Sequence, residues 1–169
     1  MSWYVLLIGA VAVERLAELM ETKRNRSWSL AHGGIEFGAR HYPAMTALHT
    51  GLLAGCLVEP ITLHRKFVPT LGWPMLAIVL AAQALRWWSI ATLNRQWNTR
   101  VIVIPGAARI NGGPYRFVPH PNYVAVIAEG VALPLVHAAW ITALVFSILN
   151  VWLLRSRIKV ENAALASLT

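Results

Sequence analysis

The stretch NGGPYRFVPHPNYVA (residues 111–125) sets Tyr115, Arg116, His120 and Tyr123 between two apolar blocks, and the later RSRIKVENAAL adds Arg157 and Glu161. An imidazole can orient a ligand or move a proton. A guanidinium stabilises an oxyanion by charge-assisted hydrogen bonds. A carboxylate with two tyrosine rings suits a cationic group. Gly112, Gly113 and Pro114 read as a turn whose backbone can approach a ligand closely. Pro119 and Pro121 fix the chain on both sides of His120 and keep helix from starting before about Asn122. Asn122 then serves as the helix N-cap, leaving backbone N–H groups that suit an anion such as a carboxylate beside Arg116 and His120. Arg157 and Glu161, four residues apart, share a face of a short helix leaving the last apolar block. Alone, each half is compatible with a turn or a solvated salt bridge; together they form two walls of one site.

Other polar clusters favour structural roles. Glu14, Glu18 and Glu21 fall on one helix face, and an internal ion pair of Arg15 with a Glu accounts for charge inside a span. His32, Glu36, His41 and His49 invite a metal. However, the adjacent Gly33 and Gly34 prevent one rigid helix face from presenting His32 with Glu36, and no HExxH is present. Interfacial hydrogen bonding is the expectation there, and no metal ligand is assigned. Cys56 is the only cysteine and lies in an apolar run, so it is expected to be a small buried residue with no disulfide.

The elements that must position these groups follow from composition. The 169 residues are 57% hydrophobic and 13% charged, with a net charge of +8 and seven acids that are all Glu. The mean hydropathy of +0.53 points to the bilayer as solvent. Residues 2–20, 43–63 and 69–93 are span candidates, the first retained because it lacks the basic leader of a cleaved signal. Residues 122–154, with Pro134 and His137 near the middle, read as a helical hairpin, giving about five membrane segments. The expected fold is a single all-α domain, 1–169. Residues 1–93 form three spans with their loops, and 94–169 form a half with a polar loop, the hairpin and a short C-terminal helix. Eleven basic residues in 21–42, 94–121 and the tail face only Arg65 and Lys66 on the other side. The N-terminus is therefore expected outside, with 94–121 and the C-terminus cytoplasmic. The positive charge is explained by topology, and no nucleic-acid-binding pattern accompanies it. Trp3, Trp28, Trp73, Trp97 and Trp152 fall near span ends as expected interface anchors.

The order GGPYRFVPHPNYVA, a hairpin, then RIKVENAAL resembles the isoprenylcysteine carboxyl methyltransferase family, whose pattern is G-x-Y…R-H-P-x-Y followed by R-x-x-x-E-[EN]-x-x-L. The resemblance covers about residues 94–166. The first half, with ERLAEL, KRNRSW and GGIEFGARHYP, is similar to small bacterial relatives, often encoded beside type III polyketide synthases, that O-methylate alkylresorcinols or alkylpyrones. It implies an S-adenosylmethionine site at Tyr115, His120, Pro121, Asn122, Tyr123 and Glu161. Backbone from Ala107, Ala108, Arg109 and Ile110 would line the cofactor, and Arg100 would reach it. Arg157 matches the residue near the methyl acceptor. Pro119 replaces the usual Arg, for which Arg116 would substitute, and Asn162 replaces the usual second Glu.

The implied catalytic residues are Arg157, His120 and Glu161. Arg157 would stabilise the acceptor oxyanion and His120 would orient the cofactor. The acceptor would be a lipophilic small molecule within the bilayer, its tail in a tunnel where each buried CH₂ contributes about 0.8 kcal/mol. Functional coupling to a type III polyketide synthase would follow. A prenylated cysteine is the alternative acceptor, though the tail stops soon after Leu165. A scaffold or transporter is a further alternative, but no internal symmetry supports it. A sterol-type reductase would need a nicotinamide fingerprint, and none is seen.

Overall fold

In the computed structural model, which describes residues 1–108 and 110–168 (the Leu168 side chain excepted), helix α1 spans Ser2–Ala31. Its 30 residues reach about 45 Å. The sequence reading stopped this helix at residue 20 and made 21–42 a loop. The helix instead continues to Ala31 and turns at His32, Gly33 (φ +80°) and Gly34. The reason lies in its inward stripe: Tyr4, Ile8, Val11, Glu18, Thr22, Asn25 and Ser29 are buried along one seam, apolar first and polar later. Each polar member of the extension finds a partner. Asn25 Nδ2 donates to the carbonyls of Asn94 (3.2 Å) and Trp97 (2.9 Å), and the Thr22 hydroxyl accepts the Thr99 N–H at 3.3 Å.

Strand β1 (Ile35–Phe37) pairs antiparallel with β2 (Val101–Val103), Ile35 opposite Val103 and Phe37 opposite Val101. This ribbon corrects the all-α expectation locally. Strands of three residues carry too little alternation to be read from sequence. Between them lie α2 (His41–Thr62) and α3 (Pro69–Leu93), which starts with Pro at its first turn. Helix α4 (Pro121–Leu135) and α5 (Trp140–Leu168) form the expected hairpin. The last span and the C-terminal helix are, however, one helix: nothing between 140 and 168 is Gly or Pro. Gly130 allows the hairpin to close, since a Cβ there would lie 2.0 Å from Phe146 Cε1.

Helices α2, α3 and α5 are long and apolar enough to cross a membrane. Their outward Leu80, Leu144, Ile148 and Trp152 are exposed, which lipid solvates favourably. Helix α1 is long but charged in its C-terminal half, and the 15 residues of α4 span only about 22 Å of a hydrocarbon core of about 30 Å. The apolar core joins Tyr4, Ile8, Leu52, Cys56, Val79, Leu133 and Phe146. Trp3, Trp73 and Trp152 are exposed as anchors should be, but Trp97 is 2% exposed and belongs to the interior.

Two polar knots tie the helices. Arg15 donates to Glu18 (2.5 Å) and to both oxygens of Glu129 (2.8 and 2.9 Å), while Arg86 also pairs with Glu129. Glu14 accepts from Gln83 and Trp87, so α1, α3 and α4 are joined at depth. Glu21 does not take part; it is half exposed beside Arg24. At the other end, Glu59 of α2 accepts the N–H groups of Ile141 (3.2 Å) and Thr142 (2.7 Å) and the Thr142 hydroxyl (2.9 Å). It thereby satisfies orphan donors at the start of α5.

Candidate functional site

Pro121 fixes the start of α4, so the N-cap is His120, with φ −132° and ψ 66°, two residues earlier than the Asn122 expected. Asn122 sits inside the first turn instead, and its Oδ1 is buried without a hydrogen-bond partner. The early start turns the His120 ring back over Tyr123, with centroids 5.3 Å apart and planes at 26°. Helix α5, continuous past residue 154, carries Arg157, Glu161 and Asn162 alongside. His120 Nδ1 lies 3.5 Å from Glu161 Oε1 and Nε2 lies 3.2 Å from Asn162 Oδ1. Thus the Asn that replaces the family's usual second Glu lies against the imidazole.

Arg157 and Glu161 do not form the solvated salt bridge that their spacing alone allows. The Tyr123 hydroxyl stands between them: Arg157 Nε donates to it at 2.9 Å, and it donates to Glu161 Oε2. Arg157 is 7% exposed and also donates to Met45 Sδ (3.0 Å) and to the Thr99 carbonyl. Its charge is thereby aimed from three sides.

Two adjoining clefts of about 620 and 850 Å³ open beside this row and share Tyr115, His120 and Glu161. One adds Trp97, Asn98, Asn122, Tyr123 and Arg157; the other adds Ala107, Ala108, Ile110 and Pro119. Gly113, at φ +53°, lets the turn before Tyr115 lie against α3, where a Cβ would come 2.3 Å from Thr92 Oγ1. Burial pushes the Tyr115 phenol up to about 12, and the nearby Glu161 carboxylate adds to the effect. Tyr115 is therefore a neutral donor throughout the physiological range.

A further cavity of about 920 Å³, largely apolar, lies among the helices and is lined by Leu19, Met45, Leu53, Val126, Leu153 and Leu154. It shares Trp97, Asn122, Tyr123 and Arg157 with the first cleft, so these four side chains form the wall between polar and apolar spaces.

The structure thus brings Tyr115, His120, Asn122, Tyr123, Arg157 and Glu161 together, with Ala107, Ala108 and Ile110 on the outer cleft. Pro121 is buried at the helix start and lines neither cleft. Arg109 lies outside the described residues. Arg100 reaches the first cleft, but its guanidinium pairs with Glu36 and sits 4.1 Å over the Tyr42 ring. Arg116 is exposed and is not among the residues lining either cleft, so it does not fill the place of the missing Arg. Although burial opposes it, hydrogen bonds from Arg100 and Arg26 hold the Glu36 carboxyl below the usual carboxylate range. His32 bonds the Trp28 carbonyl at 2.8 Å, and His49 donates to the Met45 carbonyl at 2.9 Å. Among the described residues no three His, Cys, Asp or Glu side chains converge on one point.

Sequence reasoning missed Thr99, Trp97, Met45, Arg86, Glu129 and Asn150. Arg86, Glu129 and Asn150 were legible as polar residues inside apolar runs, a signal of function or buried pairing.

A family model described as the isoprenylcysteine carboxyl methyltransferase (ICMT) family matches residues 75–167. The chain is 36% identical over 166 residues to the uncharacterized protein YpbQ of Bacillus subtilis (strain 168), covering 98% of this chain and 96% of that protein. It is 27% identical over 166 residues to an uncharacterized protein of Haemophilus influenzae, covering 96% and 95%. No solved structure matches.

Proposed function

We infer from the premise that this chain belongs to the isoprenylcysteine carboxyl methyltransferase family that it transfers a methyl group to an oxygen of a lipid lying in the bilayer. The family's members are S-adenosylmethionine-dependent methyltransferases, and three helices have the length and apolar composition of membrane spans. The chain is an integral-membrane enzyme of that kind. The finer reading is O-methylation of an alkylresorcinol or alkylpyrone, with the polar clefts cytoplasmic and the N-terminus outside. The observation that carries it is the shared wall of Trp97, Asn122, Tyr123 and Arg157 between a polar cleft and an apolar cavity.

The residues of the clefts fit the cofactor. A carboxylate (Glu161) and tyrosine faces suit a sulfonium and an ammonium, and Leu93, Ile102 and Leu165 offer apolar surface to an adenine ring. A buried, unpartnered Asn98 Oδ1 adds a hydrogen-bonding group on the same cleft. When bound, the cofactor supplies an electrophilic methyl group that needs alignment more than activation.

Arg157 holds the acceptor oxygen as an anion at the mouth of the apolar cavity. Tyr123 Oη takes the acceptor's proton as it gives its own to Glu161 Oε2, so one O–H bond breaks for each that forms. His120, fixed between Pro119 and Pro121 and against Glu161 and Asn162, orients the ligand. The enclosing leucines and valines exclude water.

The test is transfer of a labelled methyl group by purified protein in detergent, with alkylresorcinols, alkylpyrones and farnesylcysteine analogues offered side by side. Glu161→Ala is expected to abolish cofactor binding by calorimetry. A folded wild-type protein that binds no S-adenosylmethionine sinks the enzyme reading in favour of a scaffold or transporter. Preference for the farnesylcysteine analogue moves the acceptor to a carboxylate.

A further inference from the structure

Among the described residues, eight buried side-chain nitrogen or oxygen atoms lack a hydrogen-bond partner. Five of them, Arg86 Nε, Trp97 Nε1, Thr99 Oγ1, Asn122 Oδ1 and Asn150 Oδ1, belong to residues lining the apolar cavity, and of these Arg86 Nε has an ion-pair partner in Glu18, 3.6 Å away. A buried unpaired polar group is costly and rare, and several around one cavity point to a ligand that satisfies them. Trp97, Thr99 and Asn122 surround Arg157 at the mouth, where the reacting oxygen belongs. Asn150 does not. It lies on α5 seven residues before Arg157, at the same face, and is 2% exposed within a membrane span. A polar side chain there is expensive without a function.

We propose that Asn150 determines acceptor specificity by hydrogen-bonding a second oxygen function of the lipid, two helical turns and so no more than about 10 Å from the oxygen that receives the methyl group. The inference rests on the reading of this cavity as the acceptor site. Helical side chains lean toward the N-terminus, which brings the Arg157 head group toward the level of Asn150 and shortens that span. An amide donates and accepts, so a hydroxyl or a carbonyl fills the position. Arg15, Glu18 and Arg86, paired with one another and with Glu129, also line the cavity, while Leu19, Leu53 and Leu153 offer apolar surface that an alkyl chain covers. The acceptor class narrows to amphiphiles with at least two oxygen functions on a compact head.

The experiment compares a 5-alkylresorcinol with the 3-alkylphenol of equal chain length, using the purified full chain with S-adenosylmethionine in detergent. Wild-type kcat/KM is expected to favour the diol by about ten- to a hundredfold, the effect of leaving a buried amide unpaired. Asn150→Leu and Asn150→Ala are each expected to remove most of that preference by slowing the diol, with the cofactor Kd unchanged. Equal use of both acceptors by the wild type overturns the proposal, as does a preference that survives in either variant. If the wild type binds S-adenosylmethionine yet methylates neither compound, the acceptor reading has failed and this inference falls with it.

Discussion

At the scale of single residues, the site is a chain of contacts in which each group fixes the next. Arg157 spreads its donors over the Tyr123 hydroxyl, Met45 and the Thr99 carbonyl, three directions that only a planar guanidinium serves at once. Arg157→Lys keeps the charge but loses the fork. It is expected to lower kcat/KM about a hundredfold with cofactor affinity nearly unchanged, measured by methyl transfer beside calorimetry. An equal loss in cofactor binding would move Arg157 from the acceptor side of the wall to the cofactor side. Glu36 makes a similar point on the strand between α1 and α2. Its carboxyl is held low by Arg100 and Arg26, so its contribution is present above the ordinary carboxylate range and disappears as pH falls through its lowered value. Hydrogen exchange in the 35–37 and 101–103 strands should rise only in that acidic window.

At the scale of elements, the buried charges explain how short and long helices stay in register. Glu129 sits between Arg15 and Arg86, and its removal leaves two guanidinium groups short of a partner at membrane depth. Glu129→Ala is expected to destabilise the bundle by about 3–5 kcal/mol, read as a lowered midpoint of thermal unfolding in detergent. Replacing Glu129, Arg15, Arg86 and Glu18 together with apolar residues should recover much of it, because Glu18 shares both cations and the pairing, not the charge, is what folding needs. Glu59 acts as a cap supplied from another helix. Glu59→Ala should cost about 1–2 kcal/mol while leaving cofactor affinity intact, since α5 loses a partner at the end far from Arg157. The continuity of α5 matters for the same reason: one rigid rod connects the Glu59 cap to Arg157 and Glu161.

For the whole molecule, a charged α1 and a short α4 accompany three apolar spans, and the clefts collect at the end rich in basic residues. The orientation proposed above places that end in the cytoplasm, where S-adenosylmethionine is made available. Cys56 is the only cysteine and is buried, so Cys56→Ser gives a clean background for single reporters. A cysteine at Ser2 is expected to react with an impermeant maleimide from outside intact cells, and one at Ser167 only after lysis. The reverse pattern would invert the topology.

The sequence by itself determined the membrane as solvent, the bounds of α3, the α4–α5 hairpin and the pairing of the HPNY stretch with the RIKVEN tail. These follow from local facts: apolar run length, the fixed φ of proline, and charges that no lipid-facing position tolerates. The ribbon of β1 and β2, the extension of α1 to Ala31 and the burial of Trp97 were decided only in three dimensions. Their partners lie some seventy residues away in the chain, and a hydrogen bond across that distance leaves no periodicity in either segment. The division of polar cleft from apolar cavity is of the same kind. Tyr123 became the bridge between Arg157 and Glu161 because the N-cap of α4 falls two residues early and α5 does not break, and neither local fact alone places a hydroxyl between two charges.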